Sequence, residues 1–275
     1  MELITRTVYG SALQSALFSD IPFAMNEDTT LNKKFGVLSG VAPTAGQMPK
    51  AKYFCIGAGG HQLATGTGGV ALIQAVEHLA TDASLYKPLP FILRAINNDI
   101  APSVQTKYAL RKQITVGGSQ YYAYYLKRID TSAAVVDTTL QTVVGGVTTS
   151  ASFIPDSTNL DPTPPVIVGG VNVLTSQYAV CSATLPISFT QQECTELLNA
   201  ATILYGDPSY AIISEIGITS GVEYPITLPN GNSFTEVIAA QIATFINTMH
   251  VVQYTSTGIS GSYQLGTSEP MLTLG

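Results

Sequence analysis

The segment KYFCIGAGGHQLATGTGG (residues 52–69) is the stretch that most resembles working chemistry, because an apolar aromatic run leads into six glycines within thirteen residues. A dinucleotide fingerprint needs one glycine for the turn, one for backbone approach to the pyrophosphate and one for helix packing. Gly57 and Gly59 fit, but Gln62 stands where the third belongs. A Walker loop needs Lys and then Ser or Thr after its last glycine, whereas Gly69 is followed by Val70 and Ala71, and no lysine lies between Lys52 and Lys87. Glu77 stands where a ribose-binding acid would be, yet VALIQAVEHL around it reads as helix. The glycines are therefore read as structural, letting the backbone turn tightly or approach a neighbouring chain, and holding no phosphate.

The other reactive side chains form no constellation by spacing. His61, His78 and His250 lie far apart, and there is no HExxH, zinc-type spacing, GxSxG elbow or EF-hand loop. His61 reads as a turn or packing residue, and His250 as a cation at a helix C-terminus. Cys55, Cys181 and Cys194 are odd in number and form no CxxC pair, which suggests reduced thiols, Cys55 in a strand and Cys194 on the apolar stripe of a helix. Glu193 and Glu196 suit the first turns of that helix. Asp156 and Asp161 have the residue type of a glycosidase pair, but in a Thr-, Asn- and Pro-rich run they read as turn formers. No catalytic residue, metal or cofactor is expected, and the chain is not read as an enzyme.

The elements around these residues define the class. AKYFCIGAG reads as a strand, and YKPLPFILRAI as an edge or extended segment. YALRKQITVGGSQYYAYYLKRID reads as a hairpin turning at Gly117–Gly118; Tyr122, Tyr124 and Leu126 share one face of its second strand and Tyr121, Ala123 and Tyr125 the other, so both faces should be covered. TQQECTELLNAATILYG carries Thr190 and Glu193 in capping-box spacing, an apolar stripe and a stop at Gly206, and reads as a helix. SFTEVIAAQIATFINTMH, with Ser233 and Glu236 in the same spacing and a stripe from Ile238 to Met249, reads as a second one. YAIISEIGI reads as a strand, and VVQYTSTG with GSYQLGT as a closing hairpin. The expected class is α+β, β-dominant, with antiparallel, sandwich-like sheets and two amphipathic helices packed on them. The expected divisions are an N-terminal arm of loops and turns (1–50), a β-rich part (51–130), a long loop or inserted hairpin (131–170), and an α+β part (171–275) forming one unit with 51–130.

Charge is the most uneven property of the chain. Charged residues make up 11% of its 275 residues, against roughly 25% in soluble proteins. All twelve Lys and Arg lie in residues 1–128 beside seven acids, net +5, while residues 129–275 hold eleven acids and no base. A pI of about 4.9 argues against nucleic acid as a partner. No apolar run of membrane-spanning length or secretory leader is evident, so no membrane is expected. The split suggests a polarised molecule that assembles head to tail, with Arg111, Lys112, Lys127 and Arg128, beside Tyr122 and Tyr124, as interface candidates toward an acidic partner. Charge reversal at the four bases is expected to slow assembly while leaving the chain folded.

The succession YFCIGAGGH, YKPLPFILRAINNDI, KYALRKQITVGGSQYYAYYLKRID and AIISEIGITSGVE resembles virion structural proteins of contractile-tailed bacteriophages, particularly the baseplate and tail-fibre attachment region. IGAGG followed downstream by SEIGI is similar to N-terminal attachment domains of phage tail fibres, in which a glycine turn and an EIGL-like strand build a small docking module. The resemblance implies a non-enzymatic structural protein of the phage tail, made in the host cytoplasm. Its implied partners are other virion proteins and further copies of itself, in a ring or fibre-docking assembly. Neck or collar is the alternative location. The alternative roles are a carbohydrate- or receptor-binding module that stacks sugars on Tyr121–Tyr125, and a cell-wall hydrolase.

Overall fold

The computed structural model describes residues 3–65, 69, 71–144, 146–154, 156–157, 167–168, 171–172, 177–228, 231 and 233–268. The first half contains β1 (Leu3–Arg6), α1 (Val8–Ser19), α2 (Leu31–Phe35), β2 (Lys50–Gly57), β3 (His61–Thr65), β4 (Ala71–Ala75), β5 (Pro88–Leu89), β6 (Ile92–Ala95), α3 (Pro102–Gln105), β7 (Tyr108–Val116) and β8 (Ser119–Arg128). The second half contains β9 (Val136–Val144), β10 (Val147–Ser152), β11 (Ile167–Val168), β12 (Val171–Asn172), β13 (Gln177–Thr190), α4 (Gln191–Tyr205), β14 (Ile212–Thr227), β15 (Ser233–Val251) and β16 (Gly258–Ser268). The protein is β-dominant, its sheets are antiparallel, and two helices, α1 and α4, are longer than two turns.

Two units divide the chain: Met1–Ile129 with Ser188–Ser260, and Asp130–Ile187 with Gly261–Gly275. Residues 188–260 thus join 51–129 as the sequence suggests, but 171–187 and 261–275 belong to the second unit. The division also redistributes charge. Unit 1 holds all twelve bases with thirteen acids, and unit 2 holds five acids and no base. The excess of base in the first half of the sequence is therefore balanced inside unit 1 by acids from the second half.

The sheet of unit 1 runs β1-β15-β14-β2-β8-β6, with β5 beside β2 and β7 on the far edge of β8. β15 is nineteen residues long and buried on both faces over most of its length. This corrects the helix expected over SFTEVIAAQIATFINTMH. A strand covered on both faces is apolar throughout, and an i, i+3, i+4 stripe can be picked out of any such run. The Ser233–Glu236 spacing is a coincidence: the Glu236 carboxylate accepts the N–H groups of Leu110 (2.7 Å) and Arg111 (2.9 Å) on β7. β7 and β15 lie at opposite ends of the order β15-β14-β2-β8-β7, so the sheet curls back on itself and Glu236 bridges the seam. Leu110, with φ 55°, interrupts the β7–β8 ladder between Ala109 and Arg111 without shifting its register, and its N–H and that of Arg111 both reach the acid.

The N-terminal fifty residues are not an arm. A buried strand edge needs a partner for each backbone group, and this segment supplies them along β15. β1 pairs with residues 244–247. The Thr7 hydroxyl caps α1 through Gly10 N–H and also donates to the carbonyl of Ile242 (2.7 Å). Asn32 fills the bulge at Ala239 (φ 57°), its amide donating to Val237 O (2.8 Å) and accepting from Ala240 N (2.9 Å).

The β7–β8 hairpin forms as its sequence predicts, Gly117 and Gly118 taking φ of 56° and 81°, the left-handed pair that a two-residue hairpin turn demands. Both faces of β8 are covered: Ala123 packs with Ala200 of α4, and Leu126 lies in the main core. α4 forms as expected, with both arms of the Thr190–Glu193 capping box present and Gly206 in the left-handed region. VALIQAVEHL is not a helix; part of it is β4, paired with β3. β16 joins β13 in the sheet β10-β9-β13-β16, so no closing hairpin forms with the residues before it. Residues 136–152 form the inserted hairpin β9–β10.

Replacing Asn32 by Ala leaves the Val237 carbonyl and Ala240 N–H buried without partners, and is expected to cost about 3 kcal/mol. The denaturation midpoint should fall with an unchanged slope.

Candidate functional site

The glycine turn that follows β2 is bound to an anion, and the anion is the protein's own. Glu215 on β14 has no exposed side-chain surface. Its Oε1 accepts the N–H groups of Gly59 (2.9 Å) and Lys87 (2.9 Å), and its Oε2 accepts the N–H of Tyr86 (3.0 Å) and lies 2.9 Å from His78 Nε2. The turn needs glycine because of this approach. A Cβ on Gly59 would lie 2.5 Å from Tyr86 Cβ and 2.9 Å from Glu215 Oε1, and one on Gly60 would collide with the Ser214 carbonyl. The N–H groups available to a phosphate are thus turned onto a carboxylate.

His78 completes the cluster. Its Nδ1 lies 3.0 Å from Asp82 Oδ2, and its ring is stacked between Tyr86 (4.1 Å) and Phe245 (3.8 Å). Both nitrogens face carboxylate oxygens. A general base needs one nitrogen facing a reacting group; here neither does, and the ring has no exposed surface. The cluster works as an anchor. Asn247 extends it, donating to Gly60 O (3.2 Å) and Val76 O (2.6 Å), the two ends of the β3–β4 hairpin.

Burial alone would raise the Glu215 pKa, but His78 and the N–H groups of Lys87, Tyr86 and Gly59 outweigh it and hold the carboxyl below its ordinary range. At Glu236 burial outweighs the N–H groups of Arg111 and Leu110, and the carboxyl is pushed up. The difference lies in the donors: Glu215 has three N–H groups and an imidazole, Glu236 N–H groups and a more distant guanidinium.

A second cluster lies at the start of α4. Glu193, buried, accepts from Tyr108 OH (2.7 Å), Lys127 Nζ (2.8 Å) and Thr190 N (2.7 Å). Burial raises its carboxyl, but Lys127 and Tyr108 more than offset this and hold it low, while burial pulls the Lys127 ammonium down despite the pairing. Arg94 pairs with Glu196 nearby. A cleft of about 320 Å³ opens here, lined by Arg94, Asp99, Lys107, Tyr108, Glu193 and Glu196. Of these acids, Glu193 is held by Lys127, Glu196 by Arg94 and Asp99 by Arg111.

The interface candidates are largely internal. Lys127 is buried against Glu193 and the Ser188 carbonyl (2.6 Å). Arg128 bonds the carbonyls of Thr106 (3.0 Å), Tyr108 and Thr235 (2.8 Å) and pairs with Glu223 (3.3 Å). Arg111 pairs with Asp99 (3.2 Å) and lies over Tyr122 and Phe234. Tyr124 is fully buried, its hydroxyl on Asp99 (2.8 Å), so it cannot stack a sugar. Lys112, half-buried, has no ion pair among the described residues. Reversing Lys127 or Arg128 would therefore break the fold, contrary to the expectation that the chain stays folded, because each neutralises or bonds groups that its own chain buries.

Cys55 and Cys194 are buried as expected, with burial pushing the Cys55 thiol up to about 12. His250 lies in β15, not at a helix end, and His61 begins β3. Asp161, half of the considered carboxylate pair, lies outside the described residues. Among the described residues no three His, Cys, Asp or Glu gather as metal ligands, and no helix is long and apolar enough to cross a membrane.

The model of a family of unknown function, DUF7208, matches residues 1–275. The chain belongs to that family. No curated protein and no solved structure gives a significant match.

Because the Glu215 carboxyl is depressed in the fold, its contribution is whole above its unfolded pKa, about 4.3, and is lost as pH falls through the folded value. Glu236, being raised, contributes with the opposite sign. Glu215→Gln sets an amide NH₂ against backbone N–H donors and is expected to cost about 3 kcal/mol at pH 7. It should also flatten the acid limb of a stability–pH profile measured by thermal unfolding from pH 7 to 3.

Proposed function

We propose that the chain is a non-enzymatic structural component of a phage tail, assembling in the baseplate or at the tail-fibre attachment site. The observation that carries this reading is the joining of its two resemblance motifs. IGAGG and SEIGI stand about 155 residues apart in sequence, yet Glu215 pairs with Gly57 in register and its carboxylate accepts the Gly59 N–H. A glycine turn and an EIG strand that fold as one unit are what a docking module of that kind requires.

The surface adds support. α1 turns Gly10, Leu13 and Ala16 inward onto β15, while Phe18, 93% exposed, and Leu17 remain outside beside Ser11, Ser15 and Ser19, followed by Ile21. Large apolar side chains left exposed together mark a contact surface, so this end of α1 suits a neighbouring subunit. Three of the four basic residues named for assembly, Arg111, Lys127 and Arg128, do not support the reading, being occupied within the chain. A sugar-stacking role for Tyr121–Tyr125 is likewise disfavoured by the burial of Tyr124.

Quantitative mass spectrometry of purified particles from a phage encoding this chain should find it in fixed stoichiometry with tail proteins. Antibody labelling in electron micrographs should mark the distal end of the tail. Absence from purified particles would overturn the proposal, and labelling at the neck would move it to the alternative location.

A further inference from the structure

We propose that unit 2 carries a self-association edge: the outer edge of β10 pairs antiparallel with β10 of a second copy across a two-fold axis. The inference concerns unit 2 alone and does not depend on the phage-tail reading.

β10 ends the order β10-β9-β13-β16. Its register with β9 is regular from Val147↔Val144 to Ser152↔Thr139, and Phe153 N–H donates to Thr138 O at 2.9 Å. In an antiparallel pair the bonded positions alternate, so residues 147, 149 and 151 bond toward β9. The N–H and C=O groups of Thr148, Ser150 and Ser152 point to the open edge, where no described residue forms a further strand. All six residues are exposed.

Monomeric proteins blunt such an edge with Lys, Pro, a bulge or an inward charge. β10 has none of these. Residues 138–155 contain no charged side chain, and VTTSAS contains no Pro or Gly. In a unit with five acids and no base, self-pairing along this run brings no like charges opposite each other. That removes the objection which charge raises against two-fold contacts elsewhere on the unit.

Closure selects the second copy as occupant. A two-fold contact uses the same edge twice and leaves neither open, whereas addition of a different strand exposes a new edge beyond it. Centred on Ser150, the pairing sets Thr148 opposite Ser152, cross-strand hydroxyl neighbours that favour association. Val136 and Val147 share one face of the hairpin and are mostly exposed; the second copy brings the same pair to the same joined surface. The contact is small and belongs to the weak class of interfaces.

Sedimentation equilibrium of the full chain over a range of concentrations tests the proposal. A reversible monomer–dimer equilibrium is expected, accompanied by concentration-dependent protection of amides 147–152 from hydrogen exchange. Ser150→Pro removes an outward N–H without touching the ladder to β9, and should weaken dimerisation at least tenfold with unchanged circular dichroism. Thr148→Lys, which leaves the backbone intact, should weaken it in the same direction. A wild-type chain that stays monomeric at its solubility limit would overturn the inference. So would a dimer indifferent to both substitutions, or one whose formation leaves exchange at 147–152 unaltered. If the protein is absent from particles but dimerises through β10, the tail assignment fails and this inference stands.

Discussion

A carboxylate with no exposed surface persists in a fold only where donors converge on it, and three separated segments of this chain meet at Glu215. The turn after β2 gives Gly59 N–H, the 76–87 loop gives His78 and the N–H groups of Tyr86 and Lys87, and β14 carries the acid itself. Gly59, Tyr86 and Lys87 lie outside the strands, so the usual ladder could not have satisfied their N–H groups. Asn32 does similar work at a bulge of β15, and Glu236 where Leu110 interrupts the ladder of β7. Buried polar side chains thus replace main-chain partners wherever the sheet bends or ends, and they fix how it curls.

The same economy governs charge. Bases from the first half of the sequence and acids from the second meet inside unit 1, as in Lys127–Glu193, Arg94–Glu196 and Arg128–Glu223. Pairs of this kind are made within the chain. Removing one partner of a buried pair leaves the other uncompensated, which costs far more than an exposed pair contributes. What stays exposed and uncharged includes Leu17 and Phe18 on α1 and the edge of β10.

Local signals were legible in the sequence and nonlocal ones were not. Thr190, Glu193 and Gly206 mark α4 because caps act within a few residues, and Gly117–Gly118 marks the β7–β8 turn for the same reason. The sequence of β15 mimics a helix because burial on both faces erases its period of two, although its β-branched residues Val237, Ile238, Ile242, Thr244, Ile246 and Val251 favour a strand. α1 buries only Gly10, Leu13 and Ala16, and that stripe is blurred in VYGSALQSALFS by the exposed Val8, Leu17 and Phe18. Glu215 did leave a trace: an acid inside the β-rich run IISEIGI is costly to bury, and a glycine-rich turn elsewhere in the chain is the obvious source of donors. Reading those two facts together would have located the anchor, and with it the reason for the glycines at 57–60.

Site-resolved amide hydrogen exchange at Gly59, Tyr86 and Lys87, with and without millimolar inorganic phosphate or ATP, tests most directly whether Glu215 closes the glycine turn. The account predicts that all three amides exchange only through global unfolding and that neither anion changes their rates. Fast exchange at Gly59 that phosphate or ATP slows would contradict it, because those N–H groups would then be open to an external anion.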